Sequence, residues 1–135
     1  MSQPLSEDDQ VPDEIIKNAV LVASMATKES GGPIGYDEAG VRWLDGFIQG
    51  QHEQGDPGLR DGLISPLGSY LGQCIVKTFG GRWHWDGENW GVAFSDGNAA
   101  MPFNKVAKQL AYGHEGGDSV MTFFTAIPAV FQLKR

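Results

Sequence analysis

Between Pro12 and Ala26 the apolar residues recur every three or four positions, with Ile15, Ile16, Ala19, Val22, Ala23 and Ala26 forming one stripe. That spacing matches the helical turn and predicts an amphipathic helix. Pro12 suits a first turn, and Asp13 and Glu14 favour the positive helix end. The run Ser30-Gly31-Gly32-Pro33 stops the helix. A second stripe of Val41, Leu44, Phe47 and Ile48, with Trp43 at its flank, predicts a helix starting at Asp37, a good N-cap. Gly40 and Gly46 weaken it by up to about 1 kcal/mol each relative to Ala, unless a neighbour packs closely there. Residues 50–58, GQHEQGDPG, read as a loop.

The third helix is expected to start with Ser65 as cap and Pro66 at the first helical position. Leu67, Leu71, Cys74, Ile75 and Phe79 keep the helical period, and Gly80-Gly81 ends it. Lys77 is its only charge from Leu67 onward, which points to burial on more than one side. Gly68 and Gly72, four apart, leave one face smooth for a close neighbour.

The period then changes to two. Trp83 and Trp85 alternate with Arg82 and His84, and Trp90, Val92 and Phe94 alternate with Gly91 and Ala93. The intervening Asp86-Gly87-Glu88-Asn89 predicts a β-hairpin with a four-residue connection. A second turn at residues 95–98 leads to a short strand, Ala99 to Met101. A helix is expected from Asn104, as cap, to Tyr112, with Gly113 as its stop. Residues 118–128 suit strand by composition. Val120, Phe123, Phe124 and Ile127 nevertheless fall at helical spacing, with Asp118 as a cap. Helix is the reading taken, ending or kinking near Pro128. The expected class is therefore α+β: N-terminal helices packed on a small three-stranded antiparallel meander, followed by one or two C-terminal helices.

Composition narrows the function. A chain of 135 residues, 41% hydrophobic and 20% charged, suits one globular domain over residues 11–135 behind a flexible acidic stretch, residues 1–10. Its apolar runs are far shorter than the roughly 20 residues of a membrane span. The N-terminus lacks the basic start and apolar run of a signal peptide, so a cytoplasmic, membrane-free setting is expected. A lone Cys74 makes no internal disulfide. The net charge of -7, with scattered basic residues, argues against nucleic-acid binding; it either favours a basic protein partner or serves solubility alone.

The stretches SPLGSYLGQCIVKTFGGRWHW (residues 65–85), WGVAF (90–94) and MPFNKVAKQLAYG (101–113) resemble a family of small bacterial α+β domains of unknown function. In that family a glycine-bearing helix runs into a tryptophan-bearing strand, and a later strand ends at a proline that opens a helix. The resemblance covers about residues 36–125 and rests mainly on packing positions. Similar domains stand beside bacterial toxin loci. The resemblance thus implies an immunity or inhibitor role, and it brings no catalytic residues.

The tryptophan hairpin reads first as core, because cross-strand aromatic pairs add roughly 0.2–1 kcal/mol each to a sheet. Its second reading is an aromatic patch that anchors a partner. The candidate binding residues are Trp83, His84, Trp85, Asp86, Glu88, Trp90 and Asp96. His84 is also the one candidate general base, given an orienting carboxylate and a nucleophile. His52 and His114 lack a second ligand at metal spacing, so no metal is expected. Cys74 reads as inert packing and Ser65 as a cap rather than a nucleophile. No glycine pattern cradles a phosphate, and no cofactor is expected. The acidic residues Glu53, Asp56, Asp61, Asp86, Glu88, Asp96, Glu115 and Asp118 are expected in loops, where several of them together would make a face for a cationic site. The function expected is a non-enzymatic protein-binding domain, most concretely a bacterial immunity protein that blocks a cognate toxin. The alternatives are a small enzyme or regulatory subunit using His84, and an inhibitor of some other system.

Overall fold

The computed structural model describes residues 11–94, 97–117 and 119–133. These residues form helices α1 (Asp13–Ser30), α2 (Glu38–Gln54) and α3 (Arg60–Phe79), then strands β1 (Arg82–Trp85), β2 (Trp90–Ala93) and β3 (Ala99–Ala100). Helices α4 (Pro102–Tyr112) and α5 (Val120–Val130) follow. The α+β class and the order of helices, meander, helices are those expected from the sequence.

Helix α3 is the organising element. It packs against α1, α2, α4, α5 and the first two strands. Leu67, Tyr70, Leu71, Cys74 and Ile75 are all buried, as its low charge implied. Burial of each large apolar side chain contributes roughly 1.5–3 kcal/mol. Its smooth face receives two rings: Gly72 lies under Trp83 and Gly68 under Phe103, so close that a Cβ at either position would fall well inside 3.0 Å of the ring. Gly40 of α2 admits the Tyr70 hydroxyl in the same way, and that hydroxyl donates to the Gly35 carbonyl at 2.5 Å.

Helix α1 buries Ile15, Ala19, Val22 and Ala26; Ile16, one position round the helix, is exposed. Gly31 closes it in the left-handed conformation at φ 77°. Asp37 caps α2 by accepting from the Gly40 amide at 3.1 Å. That helix runs on to Gln54, so residues 50–54, read as loop, are helical. Gln51, His52, Glu53 and Gln54 supply no breaker, and the Gly55 amide closes the last turn on the Gln51 carbonyl at 2.9 Å.

The start of α3 also differs from expectation. The helix begins at Arg60, six residues before Pro66. Proline removes one amide and crowds the carbonyl four residues back, here that of Gly62, yet Leu63 and Ile64 already pack against the core and hold the preceding turn helical. Ser65 is thus inside the helix, not its cap. Helix α4 begins at Pro102 rather than Asn104: Pro102, whose ring pre-sets φ, takes the first turn. Helix α5 forms as the helical reading expected. Its cap is Ser119, whose Oγ accepts from the Thr122 amide at 3.2 Å; Asp118 lies outside the described residues.

The sheet has the order β1-β2-β3, antiparallel throughout. Trp83 pairs with Val92, His84 with Gly91 and Trp85 with Trp90; Val92 then pairs with Ala100. The third strand ends one residue before the expected Met101. One hydrophobic cluster draws residues from all five helices and all three strands.

Candidate functional site

The hairpin divides its tryptophans between inside and outside. Trp83 is 3% exposed, and its indole Nε1 donates to Gln73 Oε1 of α3 at 2.8 Å. That bond answers the polar edge of a ring that is otherwise sealed. Trp85, on the same face by strand alternation, is 40% exposed. Its ring partner is Trp90, half-buried, with centroids 5.8 Å apart and planes tilted by 48°.

The turn that joins them is fixed by Asp86. Its Oδ1 accepts from the amides of Glu88 and Asn89, each at 2.8 Å, and its own amide donates to the Asn89 carbonyl at 3.1 Å. Gly87 takes φ 104°, a value that side chains disfavour. The Asn89 and Glu88 amides hold the Asp86 carboxyl below the usual carboxylate range, with His84 adding to the effect. The turn therefore presents fixed negative charge beside an exposed indole.

Beside this tip lies a groove of about 460 Å³ between the hairpin and the start of α4. Trp85 and Trp90 line it from the sheet, Glu88 from the turn, and Phe103 and Asn104 from α4. The structure thus brings Trp85, Glu88 and Trp90 of the candidate set to one groove. Asp86 stands in the same turn but does not line the groove. His84 is half-buried and lines neither this groove nor the cleft described next. Trp83 has no free face for a partner, and Asp96 lies outside the described residues.

A second cluster, which sequence reasoning missed, centres on Asp45 of α2. This carboxylate is buried. Its Oδ1 accepts from His114 Nε2 at 2.5 Å and from Gln109 Nε2 at 3.3 Å. Its Oδ2 accepts from Ser119 Oγ and from the Met121 amide, the latter at 3.0 Å. Burial raises the carboxyl pKa, but the hydrogen bonds from Ser119, Met121, His114 and Gln109 together outweigh it and hold the group below its ordinary value. A cleft of about 630 Å³ opens beside it, lined in part by Arg42, His114 and Thr122.

Ser, His and Asp meet here, but not in the order that nucleophilic catalysis needs. A hydroxyl nucleophile must donate to the imidazole, which then leans on the carboxylate. Here hydroxyl and imidazole both donate to the carboxylate, and Ser119 Oγ also caps α5. A carboxylate held below its ordinary pKa is a weak base. The arrangement instead ties α2 to the His114 turn and to the start of α5. Gln109 extends the tie by accepting from the Val120 amide at 2.8 Å.

Comparison of the chain with protein-family models, with curated proteins and with solved structures finds no significant match. The chemistry has to be read from the residues themselves. Among the described residues no group of three or more His, Cys, Asp or Glu side chains is placed to hold a metal ion. No described helix is long and apolar enough to cross a membrane. His52 packs against Gly113, with Nδ1 2.9 Å from the Leu110 carbonyl, a structural place. Cys74 is buried, and burial pushes its thiol up to about 12. Glu53 and Asp61 sit in α2 and α3 rather than in loops, while Asp56 caps a short 3-10 turn by accepting from the Gly58 amide at 2.8 Å.

Proposed function

We propose that this chain is a non-catalytic protein-binding domain that engages its partner through the tip of the β1–β2 hairpin. One observation carries the reading: Trp85, 40% exposed and set against Trp90, stands at a groove beside a turn that Asp86 holds rigid. An indole half out of water forgoes apolar burial that a partner can supply, and tryptophan is among the residues that dominate interface energies. A preformed turn also loses little entropy on binding. Carboxylates around an aromatic centre suit a basic partner, in keeping with the net charge of -7.

The finer proposal is an immunity protein that covers the cationic site of a cognate toxin. It rests on that charge and on the Glu88 carboxylate beside the exposed indole. Acid–base catalysis at His84 is less well supported, because His84 lines neither the groove nor the Asp45 cleft.

The test is co-expression with a larger protein encoded directly beside this chain, the arrangement expected of a toxin and its immunity protein. A stoichiometric complex and protection of the host are expected from the wild-type chain. Trp85→Ala is expected to lose both while remaining folded. Full protection by Trp85→Ala would remove the hairpin tip from the contact.

A further inference from the structure

We infer that the groove between the hairpin tip and α4 is a receptor for the guanidinium of an arginine side chain on the protein partner. The inference rests on the proposed role of the hairpin and names the chemistry of its ligand.

The groove offers three aromatic side chains, Trp85, Trp90 and Phe103, whose ring faces carry negative potential. A cation within about 6 Å of such a face is attracted, and tryptophan is the strongest of the three ring types. Glu88 adds a carboxylate at the rim, and Asn89 and Asn104 add amides whose oxygens accept hydrogen bonds. Among the described residues no Lys, Arg or His lines the groove. An anionic ligand finds no counter-charge there.

Two facts choose arginine over lysine. The groove of about 460 Å³ sets aromatic rings beside a single carboxylate, so the entering cation exchanges part of its water for ring faces. A guanidinium is more weakly hydrated than an ammonium and stacks on aromatic planes. Its five donors, fixed in one plane, can meet a carboxylate at one edge and amide oxygens at the other. The net charge of -7 draws such a side chain toward the molecule before contact. The Asp45 cleft lacks this character: Arg42 and His114 line it, and its carboxylate is filled by internal donors.

The probe is the pentapeptide acetyl-Gly-Gly-Arg-Gly-Gly-amide, with citrulline replacing arginine in a control of the same shape without charge. The readout is the four indole N–H signals of the labelled protein. The arginine peptide is expected to shift the Trp85 and Trp90 signals saturably at about millimolar concentration, leaving Trp83, sealed on Gln73, unmoved. Glu88→Gln is expected to weaken that binding about fivefold, and citrulline about tenfold. Equal binding of the two peptides, indifference to Glu88→Gln, or no shift at all overturns the inference. The partner complex separates the two ideas. Loss of that complex in Trp85→Ala, with no response to the arginine peptide, leaves the hairpin as the contact and removes only its cationic ligand. A complex that survives Trp85→Ala removes the hairpin reading itself.

Discussion

Trp83 rests directly on the backbone of Gly72, leaving no room for a methyl group between ring and helix. The contact fixes the hairpin on α3 at the same point where the indole nitrogen reaches Gln73. Gly72→Ala is therefore expected to lower stability. Overpacking costs about 1–3 kcal/mol, and the better helix propensity of Ala returns up to about 1 kcal/mol. Gly46→Ala is the control. Nothing lies within 4 Å of a Cβ there, so that change is expected to stabilise α2 by up to about 1 kcal/mol. Urea midpoints of the two variants check both signs.

The tryptophans two residues apart should behave as different residues. Trp83→Ala empties a core site and is expected to cost about 3–5 kcal/mol. Trp85→Ala removes a ring already 40% in water and is expected to cost under about 1 kcal/mol. Equal losses would mean that Trp85 is part of the core.

Most of the fold can be read from periodicity, because α1, α2, α5 and the hairpin bury the faces that their own residues define. Structure and sequence pattern part where tertiary contacts outweigh local signals. Pro66 looks like a helix start, yet the packing of Leu63 and Ile64 carries the helix through it. Trp83 and Trp85 share a face, but alternation alone does not say how far α3 and Phe103 cover that face. The Asp45 cluster had no local signature at all. Its partners lie 64 to 76 residues away in the chain, and only an apolar-spaced acid, one position after Leu44, hinted at burial.

Asp45 should make stability depend on acidity. The fold holds its carboxyl below the unfolded value of about 3.9. Its contribution is then fully present above that value and is lost as pH falls through the lower folded value. Asp45→Asn is expected to be less stable by about 1–3 kcal/mol near neutrality, because buried donors lose an ionised acceptor. The gap between variant and wild type should narrow below about pH 4, as seen in urea midpoints taken through that range. A constant gap would mean that the carboxyl titrates alike in both states.

Cys74 should be silent in the folded protein. A thiol pushed up to about 12 and sealed beside Tyr70 is neither ionised nor reachable near neutral pH. Labelling with a disulfide reagent at about pH 8 is expected to proceed at the rate of unfolding and to become fast in denaturant. Immediate labelling of the native chain would show that the centre of α3 is open.

The surface also offers a competing apolar face, Val20 and Leu21 on α1, both more exposed than Trp85. Calorimetric titration of the cognate partner against Trp85→Ala and Leu21→Ala decides between the two faces. Loss of about thirtyfold in affinity, about 2 kcal/mol, is expected for Trp85→Ala, with less than about twofold for Leu21→Ala. The reverse ranking would place the contact on α1 and contradict a hairpin that binds through its outer tryptophan.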